Sequence, residues 1–261
     1  MENNHLQPLI SVITPAYNAE KFIGETIKSV LAQTYKNWEM IIVDDQSKDG
    51  TVACVEKYQQ KDRRIKLVVL ETNSGSAVAR NKAMEIAEGR YIAFLDSDDL
   101  WLPEKLEVQL AFMQHKNIAF SFTKYMRIRE NGSETSDIMS VPNVVDYNQL
   151  MKRCVIGCLT VMIDREKVGR LEMVNIRTRQ DYAYWLTITR KGFLAYGIPQ
   201  VLAKYRVVEN SISSNKLKAA RQNWNLFRHI ENQPLGKSIW YFVNYAVISM
   251  KDIFVRKLKQ M

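Results

Sequence analysis

The run Arg90-Tyr-Ile-Ala-Phe-Leu-Asp96-Ser97-Asp98-Asp99-Leu100-Trp101 is an apolar strand that ends in three carboxylates within four residues. Side chains alternate along an extended chain, so Asp96 and Asp98 are expected to point the same way, about 7 Å apart. Like charges that close destabilise a fold unless something compensates them. A hard divalent cation carrying phosphate oxygens would do so, which points to nucleotide-linked chemistry.

The same kind of strand recurs upstream. Apolar runs at 9–14, 39–43, 65–70 and 91–95 predict strands, and helices are predicted at 19–33, 48–60, 75–87 and from Pro103 to His115. Each strand is continuously apolar rather than alternating, as expected when helices cover both faces of a sheet. The spacing is that of repeated βαβ units, so the fold class is α/β, a mostly parallel central sheet flanked by helices. Asp49 is expected to cap the second helix and Pro103 to sit in the first turn of the fourth. In open α/β sheets ligands bind at the carboxyl ends of the strands. Four polar clusters follow those ends: Pro15–Asn18, Asp44–Ser47, Thr72–Gly75 and Asp96–Asp99. Past Ile118 the pattern loosens. Strands are predicted at 119–128, 158–163 and 201–207, a turn at Asn131-Gly132, a short helix at 146–153, and at 177–190 a loop entering a helix with Asp181 near its start.

The 261 residues, 46% of them hydrophobic, suffice for one sizeable core and exclude disordered and collagen-like chains. Cys154 and Cys158 are four apart, but no second pair or nearby histidine completes a zinc site, so they read as buried thiols. No secretion signal or membrane-spanning run is read, and the expected setting is the cytoplasm, extending to the inner face of the cell membrane. The formal charge of +9 is uneven: from Asn215 onward nine Lys or Arg face only Glu231 and Asp252, leaving +7 there. That segment also carries Ile239–Met250, about 12 apolar residues broken by Asn244 and Ser249, too short to cross a bilayer. Its aromatics and flanking cations suit a helix on an anionic membrane; packing on the catalytic domain or on a second copy in a homo-oligomer is the alternative. No nucleic-acid motif accompanies the charge.

Three further groups could do chemistry. Of Asp44 and Asp45, one can cap the chain reversal while the other faces a base or ribose hydroxyl. Arg80 lies in the small, apolar stretch Ser76-Ala-Val-Ala-Arg80-Asn81, so its charge is expected to meet a phosphate or a carboxylate. Asp181 is a lone acid among basic and aromatic residues in Arg177-Thr-Arg-Gln-Asp181-Tyr-Ala-Tyr-Trp185, where the aromatics are expected to shield the carboxylate, a setting that suits a base. Each also has a plain structural reading: turn aspartates, a surface arginine, a helix cap.

The chain resembles the family 2 glycosyltransferases of the GT-A fold. The resemblance lies in Ser11-Val-Ile-Thr-Pro15-Ala-Tyr17-Asn18, Ser29-Val-Leu-Ala-Gln33-Thr34-Tyr35, Ile42-Val-Asp44-Asp45-Gln-Ser47-Lys-Asp49-Gly50, Asn73-Ser-Gly75-Ser-Ala-Val-Ala-Arg80-Asn81, Ala93-Phe-Leu-Asp96-Ser97-Asp98-Asp99 and, more loosely, Gln180-Asp181-Tyr182-Ala-Tyr-Trp185. It is strongest to bacterial members that build surface polysaccharides such as teichuronic acid or O-antigen. It implies a catalytic domain over 1–210, with a nucleotide-sugar half (1–115) and an acceptor half (116–210), and a basic amphipathic helical extension over 211–261. Pro15, Tyr17 and Asp45 would contact the nucleoside, Asp45 reading the uracil. Arg80 would approach the base or the diphosphate, and Asp96 with Ser97 the ribose and metal region. Asp98 would ligate Mn²⁺ or Mg²⁺, and Asp181 would deprotonate the acceptor. The implied reaction moves a hexose from a UDP-sugar to a hydroxyl of a lipid-linked saccharide, with inversion. Retaining transfer, sugar-nucleotide synthesis and a non-catalytic binding role stand as alternatives. Gln46 replaces the glycine or asparagine common before Ser47, and is expected only to crowd a turn.

Overall fold

The structure is a computed structural model that describes residues 7–208 and 216–260, with side chains for 7–208 and 219–248. The first half alternates as predicted: β1 (Ile10–Ala16), α1 (Ile23–Leu31), β2 (Trp38–Asp44), α2 (Thr51–Gln59), β3 (Ile65–Val69), α3 (Ser76–Ile86), β4 (Tyr91–Phe94), a short β5 (Leu100–Trp101) and α4 (Lys105–His115). The second half adds β6 (Phe120–Arg129), β7 (Glu134–Met139), β8 (Val144–Val145), α5 (Tyr147–Lys152), β9 (Met162–Asp164), α6 (Arg165–Val168), α7 (Gln180–Arg190), β10 (Ala195–Val207), α8 (Lys216–Asn225) and α9 (Leu235–Gln260).

One sheet runs β3-β2-β1-β4-β9-β6-β10-β5, with β7 beside β6 and β8 beside β10. β3, β2, β1 and β4 pair in parallel; β9 is antiparallel to both β4 and β6, and β10 is parallel to β6. Six strands therefore point one way, and the short β5, β7, β8 and β9 run against them. This is the mostly parallel, helix-flanked sheet the sequence implied, of GT-A type.

Burial on both faces explains the unbroken apolar strands. In β1, Ile10 and Val12 pack with Ile23, Ile27, Val55 and Leu106 on one side, while Ile13 faces Ala77, Ala83 and Trp185 on the other. In β4, Tyr91 and Ala93 take the first side, Ile92 and Phe94 the second. The alternation is there, but both sides are dry.

Several local expectations change. α1 begins at Ile23 rather than Ala19. Pro103 lies just before the Glu104 N-cap of α4, outside the helix. Asp49 accepts the Thr51 N–H at 3.0 Å, a capping role exercised one residue ahead of the Gly50 cap position. Cys158–Thr160 is a 3₁₀ turn, closed by Thr160 N–H and Oγ1 on the Gly157 carbonyl, and only Met162–Asp164 is strand. β10 starts six residues earlier than expected because it continues through Pro199; the missing N–H coincides with a register shift between Ile198 and Val201.

The C-terminal helices join this body. Leu226 and Phe227, in a π-helical turn after α8, and Tyr241 of α9 are buried in the same core as Trp185. Glu231 accepts from Tyr147 Oη at 2.7 Å and pairs with Arg190 at 3.0 Å, latching the segment to α5 and α7. Among the described residues no helix is long and apolar enough to cross a membrane. The side chains of Lys251, Arg256, Lys257 and Lys259, on which the membrane expectation also rests, lie outside the described residues.

Candidate active site

At the carboxyl edge of the sheet is a cleft of about 600 Å³, lined by Tyr17, Arg80, Asp96, Ser97, Asp98 and Asp181 among others. Six of the sequence candidates thus meet in one cavity. Pro15 and Asp45 do not line it.

Asp96 and Asp98 reach the cleft by a different route from the one expected. β4 ends at Phe94, and the chain turns, the Asp99 N–H bonding the Asp96 carbonyl at 3.1 Å. The carboxylates are gathered by a turn, not by strand alternation. Asp96 is ion-paired with Arg80. α3 brings Arg80 there because its buried face is built from Ala77, Ala79 and Ala83, which let the helix lie close to β1 and β2. Burial opposes the Arg80 charge, but Asp96, with further help from Cys158 and Asp181, raises its pKa. Its Nε and Nη1 are buried with no hydrogen-bond partner among the described residues. Burial and then Asp96 push the Asp98 carboxyl up to about 6. Asp99 is wholly buried and pushed well up by burial, Asp98 and Asp96; it accepts the Arg206 N–H at 2.8 Å.

Asp44 and Asp45 divide their labour in a way the sequence left open. Asp44 closes its own turn, accepting the Ser47 N–H at 2.8 Å and the Ser47 hydroxyl. Asp45 holds the neighbouring loop: its two oxygens accept the N–H groups of Ser74 (2.7 Å) and Gly75 (2.8 Å). Gly75 enters α3 at φ 93°, a backbone conformation that only glycine adopts at little cost. Gln46 does more than crowd the turn. It sits in the left-handed region at φ 61°, where glycine or asparagine is favoured, and its Nε2 donates to the Glu71 carbonyl at 2.6 Å.

Asp181 occupies the first turn of α7, after Arg179 in a left-handed conformation (φ 68°), and accepts the N–H of Tyr182 at 2.8 Å. The aromatics that follow it do not shield it; they are core. Trp185 packs edge-on against Phe94 (5.4 Å between centroids) and at a tilt against Phe120 (5.3 Å), and Tyr182 Oη donates to the Leu150 carbonyl. Gln180 Nε2 donates to Ser76 Oγ at 2.7 Å, fastening the start of α7 to the start of α3. Asp181 is thereby held across the cleft from the strand ends.

Sequence reading missed Arg206, at the end of β10. Its buried guanidinium donates to the carbonyls of Asp98 and Glu130, both at 2.8 Å, and to Glu25 Oε2 at 2.6 Å. One side chain from the second half fixes the acidic turn of the first. Sequence reading also missed Asn81, which accepts from and donates to the Met173 backbone at 2.8 Å and so holds the loop leading to Asp181. Pairs separated by about a hundred positions leave no local signal.

A divalent cation would suit this turn in part. Asp96 and Asp98 both line the cleft, and carboxylate oxygens are hard donors. Among the described residues no group of three or more His, Cys, Asp or Glu is placed to hold a metal. Protein ligands alone would not complete the shell, which leaves positions for water or substrate oxygens.

The family model for glycosyl transferase family 2 matches residues 11–174, spanning β1 to the loop before α7. This chain belongs to that family. It is a glycosyltransferase. The family 2 chain is 53% identical over 94% of its length (97% of the relative) to the putative teichuronic acid biosynthesis glycosyltransferase TuaG of Bacillus subtilis. It is 41% identical over 93% of its length (94% of the relative) to WfgD of Escherichia coli, a UDP-Glc:alpha-D-GlcNAc-diphosphoundecaprenol beta-1,3-glucosyltransferase. Among solved structures it resembles S. aureus TarS 1-349 in complex with UDP-GlcNAc (TM-score 0.70, 23% identity, 91% of this chain and 71% of that one). It also resembles the mannosyltransferase PcManGT of Pyrobaculum calidifontis with GDP-Man and Mn²⁺ (TM-score 0.68, 19% identity, 93% and 74%). At these identities the structural likeness concerns the fold.

Proposed function

We propose that this family 2 enzyme transfers a hexose from a UDP-sugar to a hydroxyl of a lipid-linked saccharide in cell-surface polysaccharide synthesis, inverting the anomeric centre. The observation that carries the reading is the meeting of Asp98, Arg80 and Asp181 in one cleft, with an acid-rich, arginine-backed floor opposite a lone carboxylate on α7. The relatives' stated donors and diphosphate-linked acceptor support the substrate classes.

In this reading Tyr17 lies against the nucleoside at the cleft mouth, and Pro15 and Asp45 shape its base-binding end from behind. Asp45 keeps a second lone pair on each oxygen beyond its two backbone bonds, and that capacity is assigned to the uracil. Arg80 faces the diphosphate, while Asp96 and Ser97 border the ribose. Asp98 would hold Mn²⁺ or Mg²⁺, whose charge stabilises the departing diphosphate when bound. Asp181 takes the acceptor proton as the hydroxyl oxygen bonds to the anomeric carbon and the bond to the nucleoside diphosphate breaks on the opposite face. A single displacement needs no carboxylate nucleophile, and an α-linked donor gives a β-linked product.

The exposed face of α9 is assigned to an anionic membrane. Leu235, Ile239, Val243 and Val247, spaced every four residues, are 48–57% exposed, as is Trp240 at 50%, with Lys152 over the Trp240 ring at 5.0 Å. Replacing Ile239 and Val243 by Gln should release the protein from phosphatidylglycerol vesicles without unfolding it; retained binding would reject the assignment. For the reaction, nucleoside-diphosphate release is measured from UDP-, GDP- and dTDP-sugars with Mn²⁺ and with EDTA, using a membrane extract as acceptor source. Metal-dependent release confined to a UDP-sugar is expected. Release of pyrophosphate, or an anomerically retained product, would overturn the reading.

A further inference from the structure

A transferase with two substrates must bring the acceptor hydroxyl to the proton acceptor beside the bound donor. Beside the cleft lies a groove of about 430 Å³ walled by Tyr125, Met139, Val141, Arg153, Cys154 and Gly157. Two contacts join it to the cleft. Tyr125 of the groove lies against Tyr205 of the cleft, ring centroids 5.9 Å apart. The 153–157 segment leaves the end of α5, and α5 is tied to the first turn of α7 by the bond from Tyr182 Oη to the Leu150 carbonyl, one residue from Asp181. Charge records the same proximity: the Cys154 thiol is pushed up to about 12, by burial first and then by Asp181. Other cavities lie elsewhere: one of about 120 Å³ by α3 and α6, against Met84 and Arg165, one between α5 and α9, and one against α8.

We infer that this groove is the acceptor subsite, taking a saccharide whose first sugar is joined to a phosphate or diphosphate, with Arg153 meeting that anion. The inference rests on the proposed transfer reaction. An aromatic wall and aliphatic side chains suit the C–H face of a sugar ring, and few polar groups are needed to orient it. The guanidinium at the α5 end is the planar, multi-donor group that phosphate oxygens match best. Gly157 sets the width. A Cβ there would stand 3.1 Å from Tyr125 Cε1 and 3.3 Å from Leu159 Cδ2, so a side chain crowds the aromatic wall.

Two acceptors are compared as probes: an N-acetylglucosaminyl diphosphate carrying an alkyl chain, and the alkyl glycoside lacking phosphates. Donor hydrolysis without acceptor is measured in parallel. Arg153→Gln should raise the KM of the diphosphate probe about ten- to a hundredfold, the loss of one charge-assisted contact. It should leave donor hydrolysis and the KM of the phosphate-free glycoside within about twofold. Gly157→Val should raise both acceptor KM values and spare donor hydrolysis. Unchanged acceptor KM in both variants, with normal hydrolysis, overturns the subsite. Equal losses for both probes in Arg153→Gln overturn the phosphate assignment, as does failure of the unmodified, donor-hydrolysing protein to use the diphosphate probe. If the unmodified protein turns over no donor at all, the transfer reading falls, and the inference with it.

Discussion

Arg206→Met removes the side chain that joins the two halves at the acidic turn. Three bonds go: to the Asp98 carbonyl, to the Glu130 carbonyl and to Glu25. The first two are charge-assisted bonds from a buried guanidinium, each contributing about 1.5–3 kcal/mol. The third adds under about 1 kcal/mol, because the Glu25 side chain is 54% exposed and its charge is screened by water. Methionine returns some apolar packing against Phe22, over which the guanidinium now lies at 4.8 Å. The expected net loss is about 3–5 kcal/mol, within the range for breaking a buried polar network and below the stability of an ordinary domain. Urea unfolding of the full chain reads it as a fall in midpoint at constant slope. Because the Asp98 backbone loses its tether, half-saturation by Mn²⁺ in the transfer assay should also move to higher concentration, with Arg206→Lys between wild type and Met. A loss under about 1 kcal/mol with unchanged metal dependence would refute the tether.

Lys105 is fully buried 3.7 Å over the Trp101 ring, its Nζ without a hydrogen-bond partner among the described residues, and burial holds its pKa well below 10.5. The unfolded chain therefore binds the extra proton between the lowered folded pKa and 10.5, so stability rises with pH across that window. Lys105→Met should stabilise the protein by about 1–3 kcal/mol near neutral pH and flatten the rise; denaturation at neutral and alkaline pH checks both. Asp45→Asn leaves the Ser74 and Gly75 N–H groups facing a weaker, partly wrong-signed partner, and should cost about 2–3 kcal/mol in thermal unfolding while weakening UDP binding by calorimetry. Asp98→Asn should lower metal-dependent donor binding and turnover together; full activity across a Mn²⁺ titration would remove Asp98 as a ligand.

The fold was readable because β1, β2 and β4 are buried on both faces and their polar ends share one edge. The candidate cleft was readable for the same reason: Tyr17, Arg80 and Asp96–Asp98 follow strands or face them, and local order places them. What sequence could not show is how neighbours divide a task. Asp44 and Asp45 are adjacent and identical, yet one closes a turn with Ser47 and the other holds Ser74 and Gly75 some thirty positions away. Arg206 and Asp99 are 107 positions apart, and only β10 entering the sheet beside β5 brings them together. The aromatics after Asp181 looked like a shield for an acid; helical spacing sends Tyr182 and Trp185 into the core, and their packing fixes where Asp181 stands. Among the antiparallel strands, β5 and β8 have two residues each, too few for a periodic signal, and β7, Glu-Thr-Ser-Asp-Ile-Met, is too polar to show an apolar face.

The most direct test is Asp181→Asn, with donor affinity measured by calorimetry and transfer measured in a single turnover. UDP-sugar affinity should stay close to that of the unmodified protein, while the transfer step falls about 10²- to 10⁴-fold, the usual contribution of a positioned base. Near-normal transfer would contradict the assignment of Asp181 and, with it, the proposed single-displacement mechanism.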